Sequence, residues 1–199
     1  MAGLFALSCN SGKAPQQATN ETDNELTMVV GTYTSGSSKG IYTFRFNQQT
    51  GEAKALGETE LSNPSYLTIS EDNRFVYAVS EHGDGNEQVT AFHFDEKTGK
   101  LQAINSVPAM GEDPCYITLT NRHVITANYS GGSISVFPLA DDGALLPASE
   151  VIPFTGSGAD KERQEKPHLH CVQVAPDGEF LFANDLGTDR IYSFRINKE

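Results

Sequence analysis

One short phrase recurs four times along this chain, and this recurrence constrains the fold more than any other feature of the sequence. Each copy alternates apolar and polar residues, and the copies span residues 40–46, 89–94, 134–137 and 191–196. Equivalent positions in successive copies are 48, 45 and 57 residues apart. This spacing is too long for a leucine-rich or ankyrin repeat and is typical of a propeller blade, which holds four strands in roughly 40 to 50 residues. We therefore expect each unit to be one small antiparallel sheet.

The rest of each unit supplies the other strands of such a sheet. An apolar strand precedes every copy, and these strands span residues 28–30, 75–79, 124–127 and 180–183. The intervening turns are rich in Gly, Asn and Asp, which tolerate the positive φ of tight hairpins. Three units begin with a strand opened by proline, at residues 64–69, 114–119 and 167–172. A second glycine turn leads to closing strands at residues 53–56, 101–104 and 145–146. We name the four strands of a unit A to D in chain order, with strand A innermost.

The number of predicted strands determines the expected architecture. The chain contains fourteen such strands and no sustained helical periodicity, which assigns it to the all-β class. We predict a β-propeller of four-stranded antiparallel blades, present as an N-terminal portion of about three and a half blades, because the first unit lacks strand A and the last lacks strand D. Residues 27–199 are expected to form this partial propeller domain, and missing C-terminal blades are expected to close the ring. Pairing of blade edges between chains is the alternative, although exposed edges promote aggregation.

The charge of the chain restricts its partners. It contains 14 Lys and Arg against 26 Asp and Glu, which gives a formal net charge of −12. Nonspecific attraction to nucleic acid or to anionic lipid is therefore disfavoured. A small anionic substrate is still compatible with this charge if basic side chains gather locally. No segment has the roughly 20 apolar residues that a membrane-spanning helix needs.

The three cysteines differ in their surroundings. Cys115 and Cys171 lie within apolar strand patterns, where a free thiol packs as a small hydrophobic group. Cys9 follows a short apolar run and precedes a polar stretch, which is similar to the end of a lipoprotein signal. We interpret residues 1–26 as a signal-like segment and flexible tether, with a lipid anchor at Cys9 and a location in the cell envelope or periplasm. A cytoplasmic location is the alternative, because no Lys or Arg precedes the run.

Ligand binding in a propeller is expected at one mouth of the central channel, where strand A starts and strand B ends. The residues placed there are Tyr66, Tyr116, His168 and His170 from A strands, with Glu81, His82, Asn128, Tyr129 and Asp185 from the ends of B strands. Among them we expect at least one of the two histidines to be functional. The candidates for substrate binding are His168, Glu81, Tyr129 and Asp185.

The spacing of His168 and His170 suggests a shared orientation. Residues two apart in a regular strand point to the same face, so both imidazoles are expected to face the channel. A histidine can take a proton from water, and a well-placed general base contributes ~10²–10⁴-fold to a rate. One alternative is that these histidines only hydrogen-bond to neighbouring blades. Another is a zinc site, but no third ligand has convincing spacing, so we predict no metal and no other cofactor.

An insertion of charged residues, 156–166, enlarges the third unit just upstream of these histidines. A guanidinium can grip phosphate or carboxylate through two parallel hydrogen bonds. We therefore expect Arg163 to contact an anionic substrate. Lys161 and Lys166 are interpreted as solvated surface charges.

Several motifs in a fixed order give the chain a specific resemblance. They are GTYT at 31–34, NPSYL at 63–67, ANYSGGS at 127–133, RQEKPHLH at 163–170 and DLGTDR at 185–190. From about residue 29 onward, the chain resembles the propeller-type lactonases. This family includes seven-bladed 6-phosphogluconolactonases and the fungal carboxymuconate lactonizing enzymes.

This resemblance implies metal-free hydrolysis of a sugar-acid lactone, above all 6-phosphogluconolactone to 6-phosphogluconate in the pentose phosphate pathway. His170 matches the histidine proposed as catalytic in the lactonizing branch, and this resemblance makes it our catalytic candidate. In that branch an arginine and a glutamate on a later blade act with the histidine. The segments that carry those two residues do not occur in this sequence. The expected partner is thus a small anionic sugar lactone. The alternatives are a carboxymuconate-type cyclase and a non-enzymatic binding propeller at the cell envelope.

Overall fold

The computed structural model describes residues 24–197, and fourteen strands in this range form four antiparallel sheets. Blade 1 contains β1 (Glu25–Val30), β2 (Gly40–Asn47) and β3 (Ala53–Glu60). Blade 2 contains β4 (Leu67–Ile69), β5 (Phe75–Ser80), β6 (Gln88–Asp95) and β7 (Lys100–Pro108). Blade 3 contains β8 (Pro114–Leu119), β9 (His123–Asn128), β10 (Ser133–Pro138) and β11 (Glu150–Pro153), and blade 4 contains β12 (Leu169–Val174), β13 (Phe180–Asp185) and β14 (Arg190–Arg195).

These sheets confirm the predicted class and architecture. Blades 2 and 3 have four strands in chain order, and blades 1 and 4 have three each. Between residues 24 and 197 there is no helix long and apolar enough to cross a membrane. The predicted acylation site Cys9 and most of the predicted tether lie outside the described residues.

One strand prediction is wrong. The fourth strand of blade 3 is β11, whose Ile152 pairs with Ile134 of β10, and not residues 145–146. Leu145 makes only an isolated bridge with Leu139 and is buried in the same apolar cluster as Phe137. Leu145 therefore marks a core contact, whereas Leu146 is exposed. β11 is the outer strand of the blade, and it has only four residues, which are mostly exposed.

The core lies between the blades, and β5 shows how the sequence builds it. All six of its residues are buried, because the sheet has a neighbour on each face. Successive side chains of a strand point to opposite faces. Val76 therefore packs in a cluster with Ile41 of blade 1, whereas Tyr77 packs in a cluster with Ile117 of blade 3. A third cluster, which includes Leu169, joins blades 3 and 4.

Glycine is required where strand C turns into strand D. Gly51, Gly99 and Gly143 occupy this turn in blades 1, 2 and 3 with φ of +74°, +73° and +85°. Residues with a side chain rarely adopt this left-handed conformation. At Gly143 a Cβ would also lie 2.3 Å from Cε1 of Phe75, so the turn and the core exclude any larger residue together.

Candidate active site

Three successive blades present the same backbone arrangement at one end of the innermost strands. In each blade, the amide after strand B donates to a carbonyl just before strand A. These bonds join Glu81 N to Asn63 O at 3.0 Å, Tyr129 N to Asp113 O at 2.9 Å and Leu186 N to His168 O at 3.0 Å. Two residues beyond each of these carbonyls lie Ser65, Cys115 and His170. The blades thus supply two sets of equivalent positions, one at the start of strand A and one after strand B.

His170 lies at a bulge in the pairing of β12 with β13. Leu169 pairs with Asp185 and Cys171 pairs with Asn184, so the residue between them has no partner of its own in the ladder. The pairing of β8 with β9 repeats this feature, with Cys115 as the extra residue. Such bulges re-aim a side chain and are common beside binding sites.

The equivalent positions converge on one cavity of about 360 Å³. It is lined by Tyr33, Ser65, Glu81, Cys115, Tyr129, Arg163, His170 and Leu186. Six of these residues belong to the two repeated positions of blades 2, 3 and 4. Tyr33 comes from the loop after β1, and Arg163 comes from the charged insertion. The structure therefore brings together four predicted residues: His170, Glu81, Tyr129 and Arg163.

A larger cavity of about 810 Å³ lies at the opposite end of β4 and β8. None of the predicted site residues lines it. Its Arg74 is paired through Nε with Asp72 at 2.5 Å, and no histidine of the described residues lines it. The smaller cavity, with its histidine, carboxylate and guanidinium, is the better candidate for chemistry.

His170 is open to the cavity. Its imidazole is exposed and meets the ring of Tyr129 edge-on at 5.8 Å. Nη2 of Arg163 approaches the hydroxyl of Tyr129 at 3.4 Å, so both the guanidinium and the imidazole of His170 contact this tyrosine. No group from residues 24–197 hydrogen-bonds to the imidazole nitrogens of His170. An imidazole that is accessible in this way can accept a proton from water.

The insertion that carries Arg163 is folded against two blades. Nε2 of Gln164 donates to Leu186 O at 2.9 Å and to Oδ1 of Asp189 at 2.6 Å. Nζ of Lys166, an exposed residue, donates to Ser130 O at 2.8 Å. These bonds hold the guanidinium at the rim of the cavity.

Tyr33 and Glu81 face the cavity from blades 1 and 2. The hydroxyl of Tyr33 donates to both carboxylate oxygens of Glu81, each at 2.9 Å. Burial, and next the hydrogen bond to Glu81, raise the pKa of Tyr33 to about 12. The phenol is therefore protonated at neutral pH and acts as a donor.

The thiol of Cys115 lies in the cavity wall but is not poised for nucleophilic attack. Burial raises its pKa to about 12, so it is protonated at neutral pH. Its Sγ lies 3.6 Å from Leu169 O and 3.7 Å from His170 O, which links the wall to β12. Both Cys115 and Cys171 are free and half-buried.

His168 and Asp185 lie behind the cavity wall. His168 is buried and stacks on Tyr129 at 4.5 Å; its Nδ1 is 3.2 Å from Tyr129 O and its Nε2 is 3.2 Å from Oε1 of Glu165. Asp185, also buried, accepts from the backbone amide of His168 at 2.8 Å. Substrate binding by these two residues stays a prediction, and their contacts favour a role in holding the wall.

The expected common orientation of the two histidines is wrong for a clear reason. It assumed a regular strand from residue 167, but β12 begins at Leu169 and is irregular at His170. His168 is instead equivalent to Asn63 and Asp113, which have φ of +44° and +50° and belong to the loops that enter strand A.

The position of proline also misleads the comparison of the units, and several residues of the site are missed for this reason. The sequence suggests that Pro64, Pro114 and Pro167 are equivalent, whereas in the structure the equivalent of Pro114 in blade 4 is Leu169. Matching the strand ends would have selected Ser65, Cys115 and Leu186, which sequence reasoning missed along with Tyr33. The predicted channel residues Tyr66 and Tyr116 do not line the cavity and stack on each other at 4.1 Å. The buried side chain of Asn128 bonds to Ser133 and Ser135, and His82 bonds to Ser62.

Residues that could hold a metal do not gather in the described range. Between positions 24 and 197 no three His, Cys, Asp or Glu side chains lie close enough together to bind an ion. His170 and Glu81 both line the cavity, but the remaining oxygen and nitrogen donors belong to Tyr33, Ser65, Tyr129 and Arg163. This donor set suits hydrogen bonding to a polar ligand.

Comparison with known proteins places this geometry in context. The chain is 38% identical over 173 residues to the 6-phosphogluconolactonase of Bacillus subtilis, covering 84% of this chain and 48% of that protein. A Bacteroides fragilis crystal structure with the provisional name 6-phosphogluconolactonase is 59% identical with a TM-score of 0.88, over 90% of this chain and 50% of that one. The periplasmic gluconolactonase of Pseudomonas aeruginosa is 38% identical with a TM-score of 0.80, over 86% and 50% of the two chains.

The chain thus spans about half the length of the relatives that it matches. A family model described as a lactonase with a seven-bladed β-propeller matches residues 27–199, which include every residue of the cavity. On the basis of this match, and of the blades and the cavity they form, the chain belongs to the seven-bladed β-propeller lactonase family.

Proposed function

We propose that this cavity hydrolyses a sugar-acid lactone, with 6-phosphogluconolactone as the substrate and 6-phosphogluconate as the product. The observation that carries the proposal is the convergence of an open imidazole (His170), a carboxylate (Glu81) and a guanidinium (Arg163) in one concave site. Family membership and the names of the Bacillus and Bacteroides relatives support it.

Hydrolysis requires a general base, and we assign this role to His170. It would take a proton from water as the water oxygen bonds to the lactone carbonyl carbon. The tetrahedral intermediate then collapses, the bond from this carbon to the ring oxygen breaks, and the ring oxygen receives a proton. Groups that donate to the developing oxyanion usually contribute most to such a reaction. We expect this donor to lie outside residues 24–197, since Arg163 is assigned to the phosphate.

The direct test is turnover by the polypeptide as its cell makes it. Hydrolysis of 6-phosphogluconolactone and of unphosphorylated gluconolactone is followed by acid release in a pH-stat, with and without EDTA. We expect turnover that EDTA leaves unchanged. Loss of activity with EDTA would instead support metal catalysis, and absence of turnover on every lactone would overturn the proposal in favour of a binding propeller.

The unphosphorylated lactone is a second candidate substrate, favoured by a specific observation. Arg163 is the only Lys or Arg that lines the cavity in the described range, and the similar Pseudomonas protein is named a gluconolactonase. One cation provides less attraction for a phosphate dianion than a cluster of several would. The preference between the two substrates therefore depends on this side chain.

Replacement of Arg163 by Gln is expected to separate the two substrates. A hydrogen bond to a charged group is worth about 1.5–3 kcal/mol, so KM for the phosphorylated lactone should rise about tenfold or more. KM for gluconolactone should change less than threefold. The matched control is Lys161→Gln, because Nζ of Lys161 donates only to Gly158 O and does not line the cavity. Equal changes on both substrates would remove the phosphate contact from the proposal.

We also propose attachment to the cell envelope through Cys9. The polar stretch after this residue and the periplasmic name of the Pseudomonas relative support this location. Cells fed an alkynyl palmitate analogue should label the natural protein, and Cys9→Ala should abolish the label. Cys115→Ala and Cys171→Ala are the controls, since both thiols lie within blades and should leave labelling unchanged. Labelling that survives Cys9→Ala would favour another location.

A further inference from the structure

One side of the cavity is fixed by a hydrogen-bond network that joins blades 1 and 2. Oδ1 of Asn63 accepts from the backbone amide and from the hydroxyl of Thr34, both at 2.9 Å. Nδ2 of the same side chain donates to Glu81 O at 3.1 Å. Asn63 thus holds the backbone beside Tyr33 and the backbone of Glu81 at once. The phenol of Tyr33 and the carboxylate of Glu81 are therefore already positioned to hydrogen-bond to each other in the absence of a ligand.

The hydrogen bond between these two side chains leaves acceptor capacity unused. A phenol has one proton, which Tyr33 shares between two carboxylate oxygens, whereas a carboxylate has about four lone-pair sites. Within residues 24–197 no ion pair joins Glu81 to Arg163, although both line the cavity. Glu81 therefore lines the cavity with acceptor capacity beyond its bond from Tyr33.

The charges divide the cavity into two parts. An anionic group is attracted to Arg163 and repelled by Glu81. A neutral hydroxyl group donates well to a carboxylate, and charge-assisted bonds of this kind are roughly twice as strong as neutral ones. The side formed by Tyr33 and Glu81 thus suits hydroxyl groups, and the side near Arg163 suits an anion.

Ser65 adds a second polar group beneath the phenol. Its Oγ is a buried side-chain oxygen, found in the described range, that makes no hydrogen bond of ordinary distance and angle. It lies close enough to Tyr33 to lower the pKa of the phenol slightly against the larger effects that raise it. Buried hydroxyls without a partner are uncommon, and they are found at functional sites. A small shift of Tyr33 on ligand binding would give Ser65 its acceptor.

We infer that Tyr33 and Glu81 form a hydroxyl-binding subsite that selects polyhydroxylated lactones over unsubstituted ones. Glu81 accepts hydrogen bonds from hydroxyl groups of the lactone, and Tyr33 is the positioning residue that orients the carboxylate. The inference rests on the proposed function and extends it, since it assigns the polyol part of the substrate to blades 1 and 2 and the anionic part to Arg163.

The test measures binding without turnover. D-glucono-δ-lactam and δ-valerolactam differ in their hydroxyl groups, and neither has an ester bond to hydrolyse. Calorimetry on the natural full-length protein should show at least tenfold tighter binding of the hydroxylated lactam. Glu81→Ala should abolish this preference and Tyr33→Phe should reduce it about threefold. The matched controls Glu58→Gln and Tyr42→Phe, which change a surface carboxylate and a phenol that accepts from Lys39 N, should keep it within twofold.

A second measurement shows that the subsite exists in solution and that the variants fold. In Glu81→Gln, NMR of ¹³Cζ-labelled tyrosine should show the pKa of Tyr33 below its starting value of about 12. Tyr77 is the internal control. Burial raises its pKa to about 12 and Glu81 does not contribute to this shift, so the pKa of Tyr77 should stay unchanged. Unaltered titration of Tyr33, or an equal lactam preference in wild type and Glu81→Ala, would overturn the inference.

The two proposals fail in different ways. A protein that prefers the hydroxylated lactam through Glu81 but turns over no lactone would keep the subsite and remove the hydrolase. A protein that turns over lactones while Glu81→Ala leaves the lactam preference intact would keep the hydrolase and remove the subsite.

Discussion

Replacement of His170 by alanine is expected to lower kcat for lactone hydrolysis by about 10²–10⁴-fold, the usual contribution of a general base. The imidazole is exposed, meets the ring of Tyr129 edge-on and makes no hydrogen bond to residues 24–197, so its removal should leave the fold intact. KM should change little, since the base acts on water and not on the substrate. The measurement is steady-state kinetics on 6-phosphogluconolactone, with the melting temperature as a check of folding.

The matched control for this prediction is His82→Ala. His82 also follows a B strand, but its Nε2 bonds to Ser62 at 3.0 Å and it does not line the cavity. Its replacement should leave kcat within about twofold of wild type, because surface changes away from a site usually have small effects. Undiminished turnover in His170→Ala would exclude this residue as the base.

The second large effect is expected on stability, at Asp185. This carboxylate is 3% exposed and accepts from three donors: His168 N at 2.8 Å, Gly187 N at 2.9 Å and the hydroxyl of Thr188 at 2.6 Å. Asp185→Ala leaves the amides of His168 and Gly187 buried without this acceptor, and the hydroxyl of Thr188 keeps only its contact with the Tyr192 hydroxyl among residues 24–197. The loss should cost about 3 kcal/mol or more. For a chain of this size the melting temperature should fall by about 6–12 °C. Differential scanning calorimetry measures the change directly.

This prediction also decides between the two roles open to Asp185. If the carboxylate supports the wall, Asp185→Asn should lower the melting temperature before it changes KM. If it binds substrate as the sequence predicts, KM should rise at nearly unchanged stability. Asp141→Ala is the matched control, because this exposed aspartate borders the opposite cavity and should shift the melting temperature by less than about 2 °C.

The recurring phrase was sufficient to predict the blades, for a physical reason. Strands B and C lie in the middle of each sheet, where they pack against a neighbouring blade and therefore carry apolar residues. In blade 2, which has a blade on either side, all six residues of β5 are buried. An outer strand has no such requirement. For this reason β7 and β3 were found mainly from the glycine turns before them, and β11 was misplaced onto the buried Leu145.

The site was only partly predictable, because its geometry depends on departures from regular strand pairing. Position along the strands was enough to include His170, Glu81 and Tyr129 among the channel candidates, and the family resemblance singled out His170. The bulge at Cys115 and His170 shifts the face that each neighbouring residue presents, and no composition signal marks it. Tyr33 was missed for a different reason. Tyr33 and Glu81 are 48 residues apart in the sequence, and the hydrogen bond that brings Tyr33 to the cavity is visible only in the folded chain.

The repeated positions around the cavity have a consequence for protein engineering. Each of blades 2, 3 and 4 contributes one residue at the start of strand A and one after strand B, while backbone bonds such as Glu81 N to Asn63 O maintain the framework. A combinatorial library at Ser65 and Leu186 would therefore diversify ligand preference on an unchanged backbone, whereas Cys115 and Tyr129 also support the wall through β12 and His168. Its variants would inherit one scaffold and differ only in the chemistry displayed on it.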